Sequence, residues 1–275
     1  MGDFSTMTVS MLPLDIKSGS PESNVESVIA QTRKLRVETS VLVLPELFST
    51  GFISNHDEAE RLAQNIDGPT IDSLRSYSLE RKFAIAGSFL CRDENDGSLR
   101  NRSFFINPDN GGEVTYYDKH HLFSMSPEHE IFKSGLHQSP IIHYRGWNIA
   151  LAVCYEMRFP VWVRNVDNKY DMMLVPANWP DSRAYAWKQL VVARALENQA
   201  IFIAANRSGI DEFGTYSYLT SFGVDSRGQV IEEFHGNSLV RHATFDLNSL
   251  KEFRERFPVH RDADKFEITL KESRD

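Results

Sequence analysis

The chain has 275 residues, 41% hydrophobic and 25% charged, proportions of a soluble globular protein that exclude a disordered or fibrous chain and supply ample apolar material for a core. Its 30 Lys and Arg against 38 Asp and Glu give a net charge of −8, and a mildly acidic chain without a basic run lacks the electrostatic footprint of a nucleic-acid or anionic-membrane binder. The two cysteines, Cys91 and Cys154, cannot build a disulfide framework or an all-thiolate zinc site, and they point to a reducing compartment.

The opening MGDFSTMTVS has neither a basic start nor a long apolar segment, so no secretory signal is visible. No apolar run approaches the roughly 20 residues of a membrane span. The expectation is a cytoplasmic protein without nucleic-acid or membrane partners. Gly2 with Thr6 matches the loose myristoylation pattern, and Asn101 and Asn206 open Asn-x-Ser sequons; in such a protein all three are chance matches.

Ser20-Pro21 reads as a helix N-cap followed by proline in the first turn. Val25, Val28, Ile29, Thr32 and Leu35 then recur at helical spacing, with Ser23 and Glu26 as a candidate capping box. A strand over 40–45, a loop through Gly51, a helix over 71–81 and a strand over 83–89 follow. The runs 102–107 and 113–117 flank Asp109-Asn110-Gly111-Gly112, a strong hairpin signal. Strands are predicted at 147–153, 172–175 and 201–205, with a long helix over 185–199. Three more strands, at 221–224, 230–233 and 238–245, close the series, the first two parted by a turn at 225–228. Runs such as VLVLP, NIALAV, MMLVP and IFIAA are apolar on both faces, as in sheets covered on both sides. Their alternation with helices predicts a layered α/β fold, and the hairpins add antiparallel pairing. With no linker or repeat, one domain over 1–275 is expected.

Polar residues terminate these runs: Glu46 after VLVLP, Lys119 after VTYYD, Cys154 after NIALAV, Asn178 after MMLVPA and Asn206 after IFIAA. Strand carboxyl ends are where ligand sites assemble in layered α/β folds, although polar residues also simply mark where strands reach solvent. Cys154 stands between a buried strand and a segment that must turn away, which suits a nucleophile beside backbone N–H groups. Cys91 better fits a buried, inert thiol. The histidines His120, His121, His129, His137 and His143 lack metal-ligand spacing, so no metal is expected. A desolvated glutamate is a workable base for the thiol.

Three motifs carry a resemblance: VLVLPELFSTGF around Glu46, YYDKHHLF around Lys119 and ALAVCYEMRFP around Cys154. In this order the chain resembles the carbon–nitrogen hydrolase family, the nitrilase superfamily, from about residue 8 to 258. Glu128-His129, followed by Phe132 and Gly135, is similar to the family's second glutamate motif. The resemblance implies a four-layer αββα sandwich of two mixed β-sheets, working as a homodimer, with 246–275 a candidate part of the interface. It also implies catalysis by Glu46, Lys119 and Cys154 with Glu128 orienting Lys119, an oxyanion hole of Lys119 and the Tyr155 N–H, and no cofactor. MRFPVWVRN and EHEIFKSG look most like bacterial omega-amidases, which act on a small-molecule amide such as 2-oxoglutaramate or 2-oxosuccinamate. Glu156 stands where Asp is frequent in the family. Another amidase or an N-carbamoyl amino acid hydrolase is the alternative enzyme reading, and a non-catalytic scaffold the alternative of a different class. Proximity to the motifs nominates Phe48, Phe123, Met125, Tyr155, Asn178, Trp179 and Arg183 as substrate contacts, Arg183 as a charge for a substrate carboxylate.

Overall fold

The computed structural model describes residues 4–33, 35, 38–234 and 238–270; Gly2, Lys34 near the end of the first predicted helix, and the last five residues of the 246–275 segment lie outside them. The chain begins with β1 (Thr6–Met11), α1 (Pro21–Thr32) and β2 (Val41–Val43), the two strands parallel. Next come α2 (His56–Leu62), α3 (Pro69–Arg81), β3 (Ala84–Arg92) parallel to β2, and the antiparallel β4 (Leu99–Asn107) and β5 (Glu113–Asp118). The short α4 (Glu128–Ile131) leads to β6 (Ile142–Tyr144), β7 (Trp147–Leu151), β8 (Met172–Ala177), α5 (Ala184–Asn198) and β9 (Ile201–Asn206). A hairpin, β10 (Gly209–Asp211) with β11 (Gly214–Tyr216), precedes β12 (Phe222–Val224) and β13 (Val230–Ile231). The chain then returns as β14 (Glu233–Phe234), β15 (Arg241–Asp246) and α6 (Leu247–Arg256).

Among the described residues the main sheets are seven-stranded, ordered β14-β15-β1-β2-β3-β4-β5, and six-stranded, ordered β13-β12-β9-β8-β7-β6. Each has a parallel centre with antiparallel flanks. Alternation along β2 shows how the layers form. Val41 and Val43 join Met7, Val9 and Met11 of β1 between the sheets, while Leu42 and Leu44 join Val25, Val28, Ile71 and Leu74 beneath α1 and α3. On the far side of the second sheet α5 buries Trp187, Val191 and Ala195. This is the αββα sandwich that the family resemblance implies. Full burial of each Val or Leu contributes roughly 1.5–3 kcal/mol relative to exposure, so the inner faces dominate stability.

Several local expectations change. The predicted capping box does not form: the Ser20 hydroxyl bonds Ser18 O, and Ser23 Oγ instead accepts from Lys17 Nζ at 2.9 Å. The run over 230–233 is not one strand but two, because β13 pairs with β12 and β14 with β15 in the other sheet. β1, α2, β6, the β10–β11 hairpin and α6 were not predicted. α6 docks on its own chain, where buried Arg254 bonds Asp171 Oδ1 and Tyr170 O at 2.8 Å each.

Gly135 lies against the end of β5. Its N–H donates to Lys119 O at 2.9 Å, and a Cβ there would sit 2.1 Å from the Asp118 carbonyl oxygen. Gly135→Ala must therefore displace the backbone that carries Lys119, at a cost of about 1–3 kcal/mol by the usual penalty of overpacking. Urea unfolding measures this, and a midpoint equal to wild type would contradict the close approach.

Candidate active site

Four side chains named from the motifs converge at one rim of the sandwich. Glu46 follows β2 at a turn held by Ser88 of β3: Leu47 N–H donates to Ser88 Oγ and Phe48 N–H to Ser88 O, both at 3.0 Å. Leu47 takes a left-handed φ of 47°, which turns the chain sharply there. Lys119 follows β5, Glu128 opens α4, and Cys154 opens a 3₁₀ turn, Cys154–Arg158, after β7. Lys119 Nζ donates to Glu46 Oε1 at 2.7 Å and to Glu128 Oε1 and Oε2 at 2.7 and 3.0 Å. Glu128 Oε2 also accepts the Phe123 N–H at 2.8 Å. All four residues are buried, Cys154 the least so at 7% exposure.

Cys154 has φ of 44°, a left-handed conformation that costs a non-glycine residue on the order of 1–3 kcal/mol and persists only where its surroundings enforce it. Glu156 supplies the enforcement. Its Oε2 accepts the Val153 N–H at 2.7 Å while its own N–H donates to Val153 O at 3.0 Å. Its Oε1 accepts the Tyr117 hydroxyl and the His120 N–H, the latter at 3.0 Å. One carboxyl thus ties the Cys154 turn to the end of β5.

The charges follow from this geometry. Burial works against the Lys119 ammonium, but the Glu128 and Glu46 carboxylates outweigh it and hold the charge above the ordinary lysine range. Burial, reinforced by the Glu46 charge, pushes the Cys154 thiol well up, while Lys119 and the Asn178 N–H pull the other way. The balance favours the thiol form of the sulfur. Burial also pushes Cys91 up to about 12, and that thiol lies within β3, away from the cluster.

A cavity of about 390 Å³ opens over the cluster. Its wall includes five of the residues nominated for substrate contact beyond Tyr155: Phe123, Met125, Asn178, Trp179 and Arg183, with Tyr155 beside them. Asn206, at the end of β9, fixes Trp179: its Oδ1 accepts the Trp179 N–H at 2.8 Å and its amide donates to Trp179 O at 2.7 Å. The Asn178 amide nitrogen and oxygen have no partner among the described residues. Phe48 is a correction. The turn at Leu47 sends its ring into the outer core against Phe104, 6.0 Å between centroids, and it is fully buried.

Sequence reasoning missed Arg158, Phe52, Phe213 and Tyr216, which also line the cavity. Arg158 lies four residues after Cys154, about one turn on, and that spacing could have nominated it. Its guanidinium stacks on Trp179, 5.0 Å from the ring centre, and that of Arg183 lies 5.6 Å from the Phe123 ring. Phe213 and Tyr216 arrive on the β10–β11 hairpin, which carries no motif.

A model of the carbon-nitrogen hydrolase family matches residues 8–255. The chain belongs to the carbon-nitrogen hydrolase family. It is 39% identical over 229 residues to the omega-amidase YafV of Escherichia coli (strain K12), covering 83% of this chain and 86% of that one. It is 31% identical over 262 residues to the 2-oxoglutaramate amidase of Bacillus subtilis (strain 168), covering 93% and 96%. The crystal structure of XC1258 from Xanthomonas campestris, a CN-hydrolase superfamily protein with an arsenic adduct in its active site, superposes with a TM-score of 0.87 at 33% identity, covering 96% of this chain and 99% of that one. This carbon-nitrogen hydrolase has, among its described residues, no group of three His, Cys, Asp or Glu side chains placed to hold a metal ion and no helix long and apolar enough to cross a membrane.

Burial pushes Glu156 up to about 7, against the Tyr117 hydroxyl, the Val153 and His120 N–H groups and the Lys119 charge. A carboxyl raised in the fold stabilises it fully below its ordinary value and loses that contribution as pH rises through the folded value. The unfolding free energy of wild type should therefore fall relative to Glu156→Gln between about pH 4.5 and 7. Parallel stability profiles for the two proteins would contradict this.

Proposed function

We propose that this carbon-nitrogen hydrolase is an omega-amidase that hydrolyses the terminal amide of a short 2-oxo dicarboxylic acid monoamide, 2-oxoglutaramate or 2-oxosuccinamate, to acid and ammonia. The observation that carries the reading is a thiol, carboxylate and ammonium cluster at the floor of a cavity walled by two arginines, Arg158 and Arg183. Three cations, Lys119, Arg158 and Arg183, line the cavity against two carboxylates, Glu46 and Glu128. That surplus favours an anionic substrate, and a guanidinium recognises a carboxylate well. The names and coverage of the omega-amidase and 2-oxoglutaramate amidase relatives support the same substrate class.

In this mechanism Glu46 takes the Sγ proton of Cys154 as the sulfur attacks the amide carbonyl carbon, forming the C–S bond. The Lys119 ammonium and the Tyr155 N–H stabilise the oxyanion. Glu46 returns the proton to the departing nitrogen as the C–N bond breaks, which leaves ammonia and a Cys154 thioester. Glu46 then deprotonates a water that attacks the thioester; the C–S bond breaks, and the proton returns to the sulfur. Glu128 keeps Lys119 charged and in place. The reading takes residues 1–275 as one catalytic domain of a cytoplasmic homodimer. The exposed Phe257, Phe266 and Ile268 support a role for 246–275 at the contact between copies.

Ammonia release from 2-oxoglutaramate, an N-carbamoyl amino acid and a nitrile tests the substrate class. The oxo acid amide should be turned over fastest, and preference for the carbamoyl compound would overturn the assignment. Cys154→Ala should abolish turnover while the protein stays folded; retained activity would sink the mechanism. Lys119→Ala should lose about 3 kcal/mol or more of transition-state stabilisation. Arg158→Leu and Arg183→Leu should each lower kcat/KM for 2-oxoglutaramate roughly 10- to 100-fold, the scale of a charge-assisted hydrogen bond, while kcat/KM for an uncharged aliphatic amide changes little.

A further inference from the structure

Asn101 has no part in the motifs, yet it touches every charged member of the cluster except the cavity arginines. It lies on β4 opposite Leu90 of β3 and is 1% exposed. Its amide Nδ2 donates to Glu46 Oε1 at 2.9 Å and to Glu128 Oε1 at 3.1 Å. These are the same two oxygens that Lys119 Nζ engages, each at 2.7 Å. Its backbone oxygen accepts the Lys119 N–H at 3.0 Å. The amide and the ammonium therefore bridge one pair of carboxylate oxygens from two sides. The neighbouring Arg102, paired with both Asp93 and Asp118, fixes β4 at this point.

We propose that Asn101 is a positioning residue for the reaction, holding Glu46 as an ionised base with one oxygen turned to the thiol. The inference rests on the base role given to Glu46 above. Two carboxylates share one ammonium in a buried site, so one negative charge is left without an opposite partner. A second cation would neutralise the base. A neutral amide with two N–H groups instead donates one hydrogen to each carboxylate, and donors of this kind favour the ionised form. Lys119 and Asn101 both bind Glu46 through Oε1, which leaves Oε2 for the Cys154 proton. The charged or titratable groups facing Glu46 are Lys119, Glu128 and Cys154, with Glu156 acting on Lys119 from behind. Asn101 is not part of the cavity wall, so its effect should fall on the chemical step.

The test is the pH profile of kcat and kcat/KM for 2-oxoglutaramate in Asn101→Asp, which is near-isosteric, and in Asn101→Ser, read beside the pH dependence of iodoacetamide alkylation of Cys154. The expected result is a kcat about 10- to 100-fold lower with KM within about threefold, a partial loss of the roughly 10²- to 10⁴-fold that a positioned general base contributes. The acid limb should move up by about one pH unit in the Ser variant and further in the Asp variant, and the alkylation profile should move with it. Limbs that coincide with wild type, or a loss confined to KM, would overturn the proposal even if kcat falls. Cys154→Ala separates the two failures. An active Cys154→Ala removes the mechanism on which the proposal rests, whereas an inactive one with unmoved Asn101 limbs removes this proposal alone.

Discussion

A lysine ammonium lies buried between two carboxylates, and the rim of the first sheet is built around it. Taking such ions out of water costs several kcal/mol each unless geometry and hydrogen bonding are nearly complete. Here they are nearly complete, because the ammonium, the Asn101 amide and the Phe123 N–H all donate into the same two carboxylates. Those partners come from β4, the loops after β2 and β5, and the start of α4. The first sheet, its rim and the helix that closes it must therefore be assembled before the charge is tolerated. The glycine at 135 belongs to the same requirement, since only a residue without a Cβ lets the chain lie against the backbone at Asp118.

The turn that carries Cys154 is the second half of the arrangement. Cys154 is strained and buried, and burial favours its thiol form, three properties that would make an isolated thiol unreactive. In the proposed reaction they are offset beside Glu46, where transfer of the thiol proton to the carboxylate moves the negative charge onto the sulfur, next to the Lys119 ammonium. Glu156 links this turn to the lysine strand through Val153, Tyr117 and His120. The two halves of the site are thereby held in register by one buried carboxyl rather than by the sheets alone.

Much of this was legible in the sequence for identifiable reasons. Strands buried on both faces announce themselves as continuous apolar runs, and the residue that ends each run marks the rim. Glu46, Lys119, Cys154, Asn178 and Asn206 all lie at such ends, and the motifs around the first three, in their order, carry the family resemblance. What stayed hidden depends on tertiary contact. β1 lacks the continuous apolar run that marks the central strands, because Thr6, Thr8 and Ser10 alternate with the inward Met7, Val9 and Met11, and Ser10 is satisfied by Thr39 and His242. The strand over 230–233 was misread because a local apolar pattern does not say that the chain changes sheets. Phe48 looked like a wall of the site until the left-handed Leu47 turned it inward. Asn101 carries no signal by type, and only its distances to the cluster reveal it; Arg158 could be nominated by its spacing from Cys154 but is shown to wall the cavity only by the fold.

The central claim is that the Cys154 sulfur carries the acyl group. Its most direct measurement is mass spectrometry of the protein mixed with excess 2-oxoglutaramate and quenched in acid within a turnover. The account predicts an acyl adduct on the peptide containing Cys154, absent from the Cys91 peptide, formed together with a stoichiometric release of ammonia. Continued turnover with no adduct on Cys154 at any quench time or substrate concentration, and with activity surviving in Cys154→Ala, would contradict it.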